Sequence, residues 1–241
     1  MFDIDIDYYD EVTSTNEVLR QMALEGAKPG KTVVAWKQSA GRGRLGRTFE
    51  SPRGGIYLSM LLPMEGSMTL TAKAAVAAKR AIEEVTDRKV QIKWVNDILY
   101  KGKKVAGILA QGIEDKVVLG IGINFNTDIK ALGPELKDSA CSLYNSWEEP
   151  DSDSMDLVNS LVRHMYELAG DTGPQGPEAS WLNEYRGASA VIGKKVRVFQ
   201  AGRQTGSGLV TEIDDNCALH VLDEKKGEMI LSTGEITIRL D

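Results

Sequence analysis

Within Gly41-Arg42-Gly43-Arg44-Leu45-Gly46-Arg47, three glycines and three arginines sit in seven consecutive positions. Glycine accepts positive φ and lets a backbone come close to a ligand. Arginine presents a planar fork of donors that matches carboxylate and phosphate. The stretch reads as a loop that holds an anion. Gly41, Gly43 and Gly46 also spell the G-x-G-x-x-G pattern of dinucleotide-binding turns. That pattern needs a helix starting inside it, so that pyrophosphate meets the helix N-terminus. Here Thr48-Phe49-Glu50-Ser51-Pro52-Arg53-Gly54-Gly55 follows and breaks a helix, and the arginines crowd the close approach. No Gly-Lys-Ser/Thr follows, so the P-loop pattern fails as well.

Four further stretches bear on the same chemistry. In Lys93-Trp94-Val95-Asn96-Asp97, the lysine is a compact charge that can reach a carboxylate or a phosphate. Asp97 beside Asn96 is either a turn or an oxygen ligand of the kind Mg²⁺ prefers. In Val105-Ala106-Gly107-Ile108-Leu109, small residues inside an apolar strand admit something to its face. Gly120-Ile121-Gly122-Ile123-Asn124-Phe125-Asn126 is punctuated in the same way, though strand glycines are also simply bulges. Ser14-Thr15-Asn16 supplies hydroxyls and free amides at a helix start, which serve as a cap or bind a polar ligand head. His164 and His220 have no triad or metal spacing and read as structural. The implied chemistry is charge stabilisation and positioning without a protein nucleophile, as in attack of a carboxylate on a phosphate.

The elements that must position these residues are legible from pattern. Ile4 to Tyr9 alternates as an edge strand does. Ser14 with Glu17 makes a capping box, which predicts a helix from about Thr15 to Glu25 with Val18, Leu19, Met22 and Ala23 as its buried stripe. Strands are expected over Thr32–Lys37, Ile56–Leu62 and Val90–Trp94, and an amphipathic helix over Thr71–Val85. Val105–Gly112 and Val117–Phe125 form a hairpin turning at Glu114-Asp115. Asn126 to Ser154 reads as a surface crossover around a short helix near Leu143. Helices follow over Asp156–Leu168, capped by Ser154 or Asp153, and Ala179–Tyr185, with a turn at Thr172 to Pro177 between them. After Arg186-Gly187, short strands separated by turns suggest a small barrel-like module.

The length of 241 residues allows one large domain, or a medium one with a small one. The division expected is 1–188 and 189–241. A formal net charge of −6 argues against tracking nucleic acid over the whole surface. Cys141 and Cys217 lie far apart without metal spacing and suit a reducing compartment. The acidic, alternating N-terminus is no signal peptide, and no apolar run is long enough to span a membrane, so a cytoplasmic protein is expected.

Taken in order, Ser14-Thr15-Asn16, Gln38 to Arg47, Lys93 to Asp97, Ala106 to Leu109 and Gly122-Ile123-Asn124 resemble the motif series of biotin protein ligases. Gly234-Glu235-Ile236 is similar to that family's C-terminal module. The resemblance covers nearly the whole chain. It implies an α+β catalytic domain with a mixed sheet, related to class II aminoacyl-tRNA synthetases and lipoate ligases, and a following SH3-like barrel. It implies that biotin and MgATP give biotinyl-5′-adenylate and pyrophosphate. A lysine of a biotin carboxyl carrier domain of a carboxylase then takes the biotin and releases AMP. By position, Ser14, Thr15, Asn16, Gln38, Gly107 and Ile108 would meet biotin. Gly41, Arg42, Gly43 and Arg44 would close over biotin and the adenylate, and Lys93 would neutralise the carboxylate–phosphate junction. Arg44, Arg47, Asn96, Ile123 and Asn124 would flank ATP, and Asp97 would hold Mg²⁺. Lys93 and Arg42 carry the catalytic expectation.

The chain departs from that pattern in places. Val95 stands where many members have proline, and Gln111 where many have glutamate. An aromatic that covers the adenylate is replaced near Glu50, and a tryptophan that stacks on adenine is Ala140 here. No helix-turn-helix fits before Ser14, so operator binding is not expected. A homodimer through a sheet edge is the family's habit. The alternatives are a lipoate or octanoate ligase of the same superfamily, and a non-catalytic protein that binds biotin or nucleic acid.

Overall fold

The computed structural model describes residues 3–64, 67–134, 136–145, 154–169, 180–223, 227–232 and 236–240. Two sheets carry the fold. The larger has seven strands: β1 (Asp5–Tyr9), β2 (Lys31–Ala35), β3 (Ile56–Pro63), β4 (Gln91–Lys93), β5 (Asp97–Tyr100), β6 (Lys103–Ile113) and β7 (Lys116–Ile123). Their spatial order is β1-β2-β3-β7-β6-β5-β4. Only β1 and β2 run parallel; the remaining ladders are antiparallel, so the sheet is mixed as expected.

The sheet is covered on both faces, and period-2 alternation decides what each face carries. Ile56, Leu58, Met60 and Leu62 of β3 and Leu119, Ile121 and Ile123 of β7 enter the main core. That face packs against α2 (Ser67–Thr86), behind which lie α3 (Ser154–Ala169) and α4 (Ser180–Gly187). The opposite face meets α1 (Thr15–Leu24), whose Leu19 and Ala23 bury against Val33, Leu61 and Val118. Val18 and Met22 pack at the rim of that cluster, which completes the expected stripe. Gly26, at φ +99°, ends α1 in a conformation that only glycine takes cheaply.

The capping box does not form. Ser14 occupies the N-cap with extended backbone but makes no side-chain cap hydrogen bond. The Glu17 carboxylate is drawn instead to the Arg42 guanidinium, 2.9 Å away. A charged partner outcompetes a backbone amide for that carboxylate. Leu143 is not helical either. Its amide donates to the Asn124 carbonyl at 2.9 Å, and the Tyr144 amide donates to that of Phe125 at 2.8 Å, which ties the segment to the chain leaving β7. Ser154 is the first residue of α3; Asp153, the turn at Thr172 to Pro177 and Gly234-Glu235 lie outside the described residues.

The second sheet comprises β8 (Lys195–Gln200), β9 (Arg203–Ile213), β10 (Leu219–Asp223), β11 (Gly227–Leu231) and β12 (Ile236–Leu240), in the order β11-β10-β9-β8-β12. It is wholly antiparallel. Among the described residues β11 and β12 form no ladder with each other, so this sheet is open and no closed barrel is formed. Its inner face (Val196, Val198, Val210, Leu219, Val221) belongs to the same core as α4 and the large sheet. No described helix is long and apolar enough to cross a membrane.

His220 in β10 is bracketed by carboxylates, with Nδ1 3.0 Å from Glu228 and 3.8 Å from Glu212, and Nε2 3.5 Å from Asp214. The Glu228 hydrogen bond is the largest cause raising its pKa above 6.5. A raised histidine stabilises the fold while protonated; the contribution is full below the unfolded value and disappears as pH rises through the folded one. Thermal stability should therefore fall as pH rises above about 6.5, and His220→Gln should flatten that part of the Tm curve.

Candidate active site

One open cleft, holding ≈ 460 Å³ of empty space, lies between the first turn of α1, the face of β6 and β7, and the glycine-arginine loop. Its floor is made of absent side chains. Gly107 pairs with Gly122 across β6 and β7, Leu109 pairs with Gly120, and Ser59 of β3 lies beside Gly120. A Cβ on Gly120 would overlap Asn16 Oδ1, and one on Gly122 would lie 2.6 Å from the Phe49 ring. The glycines are therefore close approaches, and the strands there continue in register without a bulge.

At the inner end the first turn of α1 docks through a connected set of hydrogen bonds. The Thr15 amide donates to Gln38 Oε1 at 2.8 Å, and its hydroxyl lies 3.1 Å from the same atom. Gln38 Nε2 donates to Ser51 Oγ at 2.7 Å, and Ser51 donates to the Phe49 carbonyl at 2.7 Å. The Ser59 hydroxyl stands 2.7 Å from Thr15 Oγ1 and 2.6 Å from Asn16 Oδ1. Asn16 Nδ2 donates to Gln111 Oε1 at 2.8 Å. Ser14, Thr15 and Asn16 are all buried, so these groups are held in fixed directions at the cleft wall.

At the outer end the loop folds back on itself. The Gly43 amide donates to the Arg47 carbonyl at 2.7 Å, and Phe49 donates to the Gly41 carbonyl at 2.9 Å. A single 3₁₀ turn spans Arg44–Gly46 with Leu45 at φ +57°; it is no α-helix, in keeping with rejection of the dinucleotide pattern. Arg44 Nη1 donates to Asn96 Oδ1 at 2.5 Å. Asn96 is fixed in turn by giving Nδ2 to the Ile108 carbonyl at 2.9 Å. Burial lowers the pKa of Arg44, and Asp97 acts against that shift. Arg42 is half exposed and pairs with Glu17.

Of the expected residues, Ser14, Thr15, Asn16, Gln38, Arg42, Gly43, Arg44, Asn96, Gly107 and Ile108 are brought to this cleft. Others stand apart from its lining. Gly41 packs against Phe49, Ser51 and Gln38, and Arg47 stays exposed. The Ile123 side chain points to the main core, because it alternates with Gly122. Asn124 spends its amide on the Cys141 carbonyl, 3.0 Å away. Lys93 is not part of the lining, and burial first, then Lys104 and Arg239, lower its pKa against the pull of Asp97. Asp97 does not fit a metal site: Lys104 Nζ lies 2.6 Å from its Oδ1. Among the described residues no group of three or more His, Cys, Asp or Glu could hold a metal ion.

Phe49, Tyr57, Lys104, Leu109, Gly120, Ile121 and Gly122 complete the lining; Leu109, Gly120, Ile121 and Gly122 fall in stretches singled out from the sequence but given no individual role, and Phe49, Tyr57 and Lys104 were not singled out. Phe49 meets Tyr57 edge-on at 6.4 Å and covers the Gly107–Gly122 trough. An aromatic is thus present one residue before Glu50, whose carboxylate accepts the Gly133 amide at 2.9 Å. Only the glycine punctuation of β7 signalled this part of the cleft.

A cleft with neutral donors at one end and arginines at the other suits a small molecule whose acid group is activated on phosphate. The model of the biotin/lipoate A/B protein ligase family matches residues 8–128. Over 241 residues the chain is 31% identical to the biotin–[acetyl-CoA-carboxylase] ligase of Mycobacterium tuberculosis, covering 96% of this chain and 88% of that protein. The chain belongs to this family. It is also 43% identical to the bifunctional ligase/repressor BirA of Bacillus subtilis over 146 residues, which are 56% of this chain and span just 45% of that relative. The biotin protein ligase from Aquifex aeolicus in complex with biotin and ATP superposes with a TM-score of 0.85 at 28% identity, covering 98% of this chain and 99% of that one.

Replacing Gly120 with alanine forces a methyl against Asn16. Gly120→Ala should lose about 1–3 kcal/mol in urea unfolding, as over-packed cores do. Gly112→Ala, where the nearest atom to the new methyl is the Met64 terminal carbon at 3.5 Å, is the control and should change little. Equal stability of the two variants would contradict a floor set by steric exclusion.

Proposed function

We propose that this chain ligates biotin to a lysine of a biotin carboxyl carrier protein, through biotinyl-5′-adenylate. The observation that carries the reading is the union of a glycine-floored, donor-walled cleft with an arginine loop over its mouth. Relatives and solved neighbours named as biotin ligases support it. In the first step a carboxylate oxygen of biotin bonds to the α-phosphorus of ATP, and the bond from that phosphorus to the bridging oxygen of pyrophosphate breaks. In the second a lysine amine attacks the acyl carbon, an amide forms, AMP leaves and the amine gives up a proton. Neither step needs a protein nucleophile, so the chain supplies orientation and charge.

In this reading Ser14, Thr15, Asn16 and Gln38, with backbone at Gly107 and Ile108, hold biotin. Arg42, Gly43 and Arg44 cover it and meet the nucleotide with Arg47 and Asn96. Lys93 offsets charge at the carboxylate–phosphate junction. Mg²⁺ is the counter-ion that ATP brings, and Asp97 is not assigned to it. The C-terminal sheet is read as the SH3-like module of such ligases. A homodimer would use the open edge at β1, since the outer side of β4 is bridged by Ser189.

Biotin-dependent exchange of labelled pyrophosphate into ATP, without a carrier, tests this. Exchange with biotin and none with lipoate is expected. Exchange with lipoate alone would favour a lipoate ligase, and none with either acid would overturn adenylation. The pH profile tests Lys93. A lysine lowered from 10.5 loses its charge at lower pH, so exchange should decline along an alkaline limb below that value. Lys93→Arg should move the limb upward, and Lys93→Ala should lower the rate by about 100-fold or more.

A further inference from the structure

We propose that Gln111 is a positioning residue for biotin: through Asn16 and Ser59 it fixes the direction of the Thr15 hydroxyl, which then accepts an N–H of the biotin ring. The inference rests on the biotin-ligation reading above, and Gln111 itself does not line the cleft. A transverse row of the large sheet carries it. Ser59 of β3 pairs with Gly120 of β7, and Gly120 pairs with Leu109 of β6. Because Gly120 is bare, the Asn16 carboxamide lies across this row, with its oxygen toward Ser59 and its nitrogen toward β6. Leu109, Gln111 and Ile113 alternate onto the same face, where Ile113 joins Leu19 of α1 in the smaller core.

A carboxamide has a donor end and an acceptor end, and its partners decide which end goes where. At Asn16 two groups of β6 decide it. Gln111 Oε1 accepts from Nδ2 at 2.8 Å. The Leu109 carbonyl is 3.5 Å from the same nitrogen, at the outer limit of a hydrogen bond but near enough to repel an oxygen. Reversing both carboxamides would set Asn16 Oδ1 against that carbonyl. Asn16 Oδ1 therefore faces Ser59.

The remaining protons follow from that choice. The Ser59 hydroxyl has one proton and two neighbours, Asn16 Oδ1 at 2.6 Å and Thr15 Oγ1 at 2.7 Å. Asn16 Oδ1 can only accept, so the proton goes there. Two oxygens 2.7 Å apart need a proton between them, so Thr15 donates to Ser59. Gln38 Oε1, 3.1 Å from the Thr15 hydroxyl, is itself an acceptor, because the Thr15 amide donates to it at 2.8 Å. The lone pairs of Thr15 Oγ1 are thus left to a ligand, and the cleft wall offers a fixed acceptor among its donors. Biotin brings the matching N–H groups in its ureido ring, whereas the dithiolane ring of lipoate has none.

The test uses the full chain with Gln111→Met, Gln111→Glu, Thr15→Val and the double variant of Gln111→Met with Thr15→Val. Biotin affinity is read by calorimetry without nucleotide, and KM and kcat by pyrophosphate exchange. Gln111→Met removes the acceptor at similar length. It should weaken biotin about tenfold and raise KM for biotin to match, with kcat and KM for ATP within about threefold of the parent. Gln111→Glu keeps an acceptor and should restore most of the affinity. Once Thr15→Val has removed the hydroxyl, adding Gln111→Met should weaken biotin by no more than about twofold further. Affinity within about threefold of the parent in Gln111→Met, or a further tenfold or so in the double variant, would overturn the proposal. If Gln111→Met does not fold, Gln111→Lys decides. Its donor-only side chain reverses Asn16, Ser59 and Thr15 in turn, and unchanged biotin affinity there overturns the proposal. An unsubstituted chain with neither biotin binding nor biotin-dependent exchange would overturn both the proposal and the reading beneath it.

Discussion

The first turn of α1 rests directly on the large sheet because Gly120 presents no side chain to it, and the rest of the site hangs from that contact. With the turn this close, Asn16 reaches Gln111 and stands beside Ser59, while Thr15 reaches Gln38. Gln38 then fixes Ser51, and Ser51 the backbone at Phe49, which closes the glycine-arginine loop. Each such bond contributes only about 1 kcal/mol net, but a buried group left without its partner costs about 1–3 kcal/mol. The network is therefore cooperative in a practical sense: loss of one link leaves the next group buried and unpaired. Helix, sheet and loop are held as one frame.

Charge is distributed against the grain of the whole chain. The total is −6, yet the mouth of the cleft gathers Arg42, Arg44 and Lys104. Their counter-charges differ in kind. Arg42 holds Glu17 in a pair whose side chains are 52% and 39% exposed. Such a pair contributes no more than about 1 kcal/mol, and an incoming anion can displace it at little cost. Lys104 and Asp97 are less exposed, at 35% and 25%, and are held on paired strands. The loop cation is thus free to follow a ligand, while the strand cation is fixed in advance.

Much of this was legible in the sequence, and the losses have identifiable causes. Alternation along Gly120-Ile121-Gly122-Ile123 states outright that one face is bulky and the other bare, and that face distinction is what the fold uses. Reading those glycines as possible bulges understated them, and Ile123, named as a site residue, turns its side chain to the main core. Conversely, the irregular register between β5 and β6, where Ile98 pairs with Ala106 but Leu99 pairs with Lys104, carries no glycine or proline mark and hid Lys104. The capping box failed because Glu17 met a tertiary partner, Arg42, far along the chain. Local rules describe a helix end correctly only while no stronger partner approaches it. Tyr57 faces the cleft by alternation with Ile56 and Leu58 in β3, whereas Phe49 enters it by folding across, which no periodicity records.

The strand that carries Lys93 also explains why a second sheet is attached to a cleft it does not line. That strand lies at the edge of the large sheet, where a short segment has little to hold it. Three contacts secure it. The Trp94 indole donates to the Cys217 carbonyl at 2.9 Å, and Cys217 sits at φ +62° in the turn before β10. The Tyr185 hydroxyl on α4 donates to the Val95 carbonyl at 3.3 Å. Ile92 exchanges backbone hydrogen bonds with Ala188 and Ala190, each at 2.8 Å, in the segment leading from α4 to β8. The lysine, the turn at Asn96 and the carboxylate of Asp97 are thereby held from the side away from the cleft. The C-terminal sheet acts on the site through this buttress, by bracing the strand that carries Lys93.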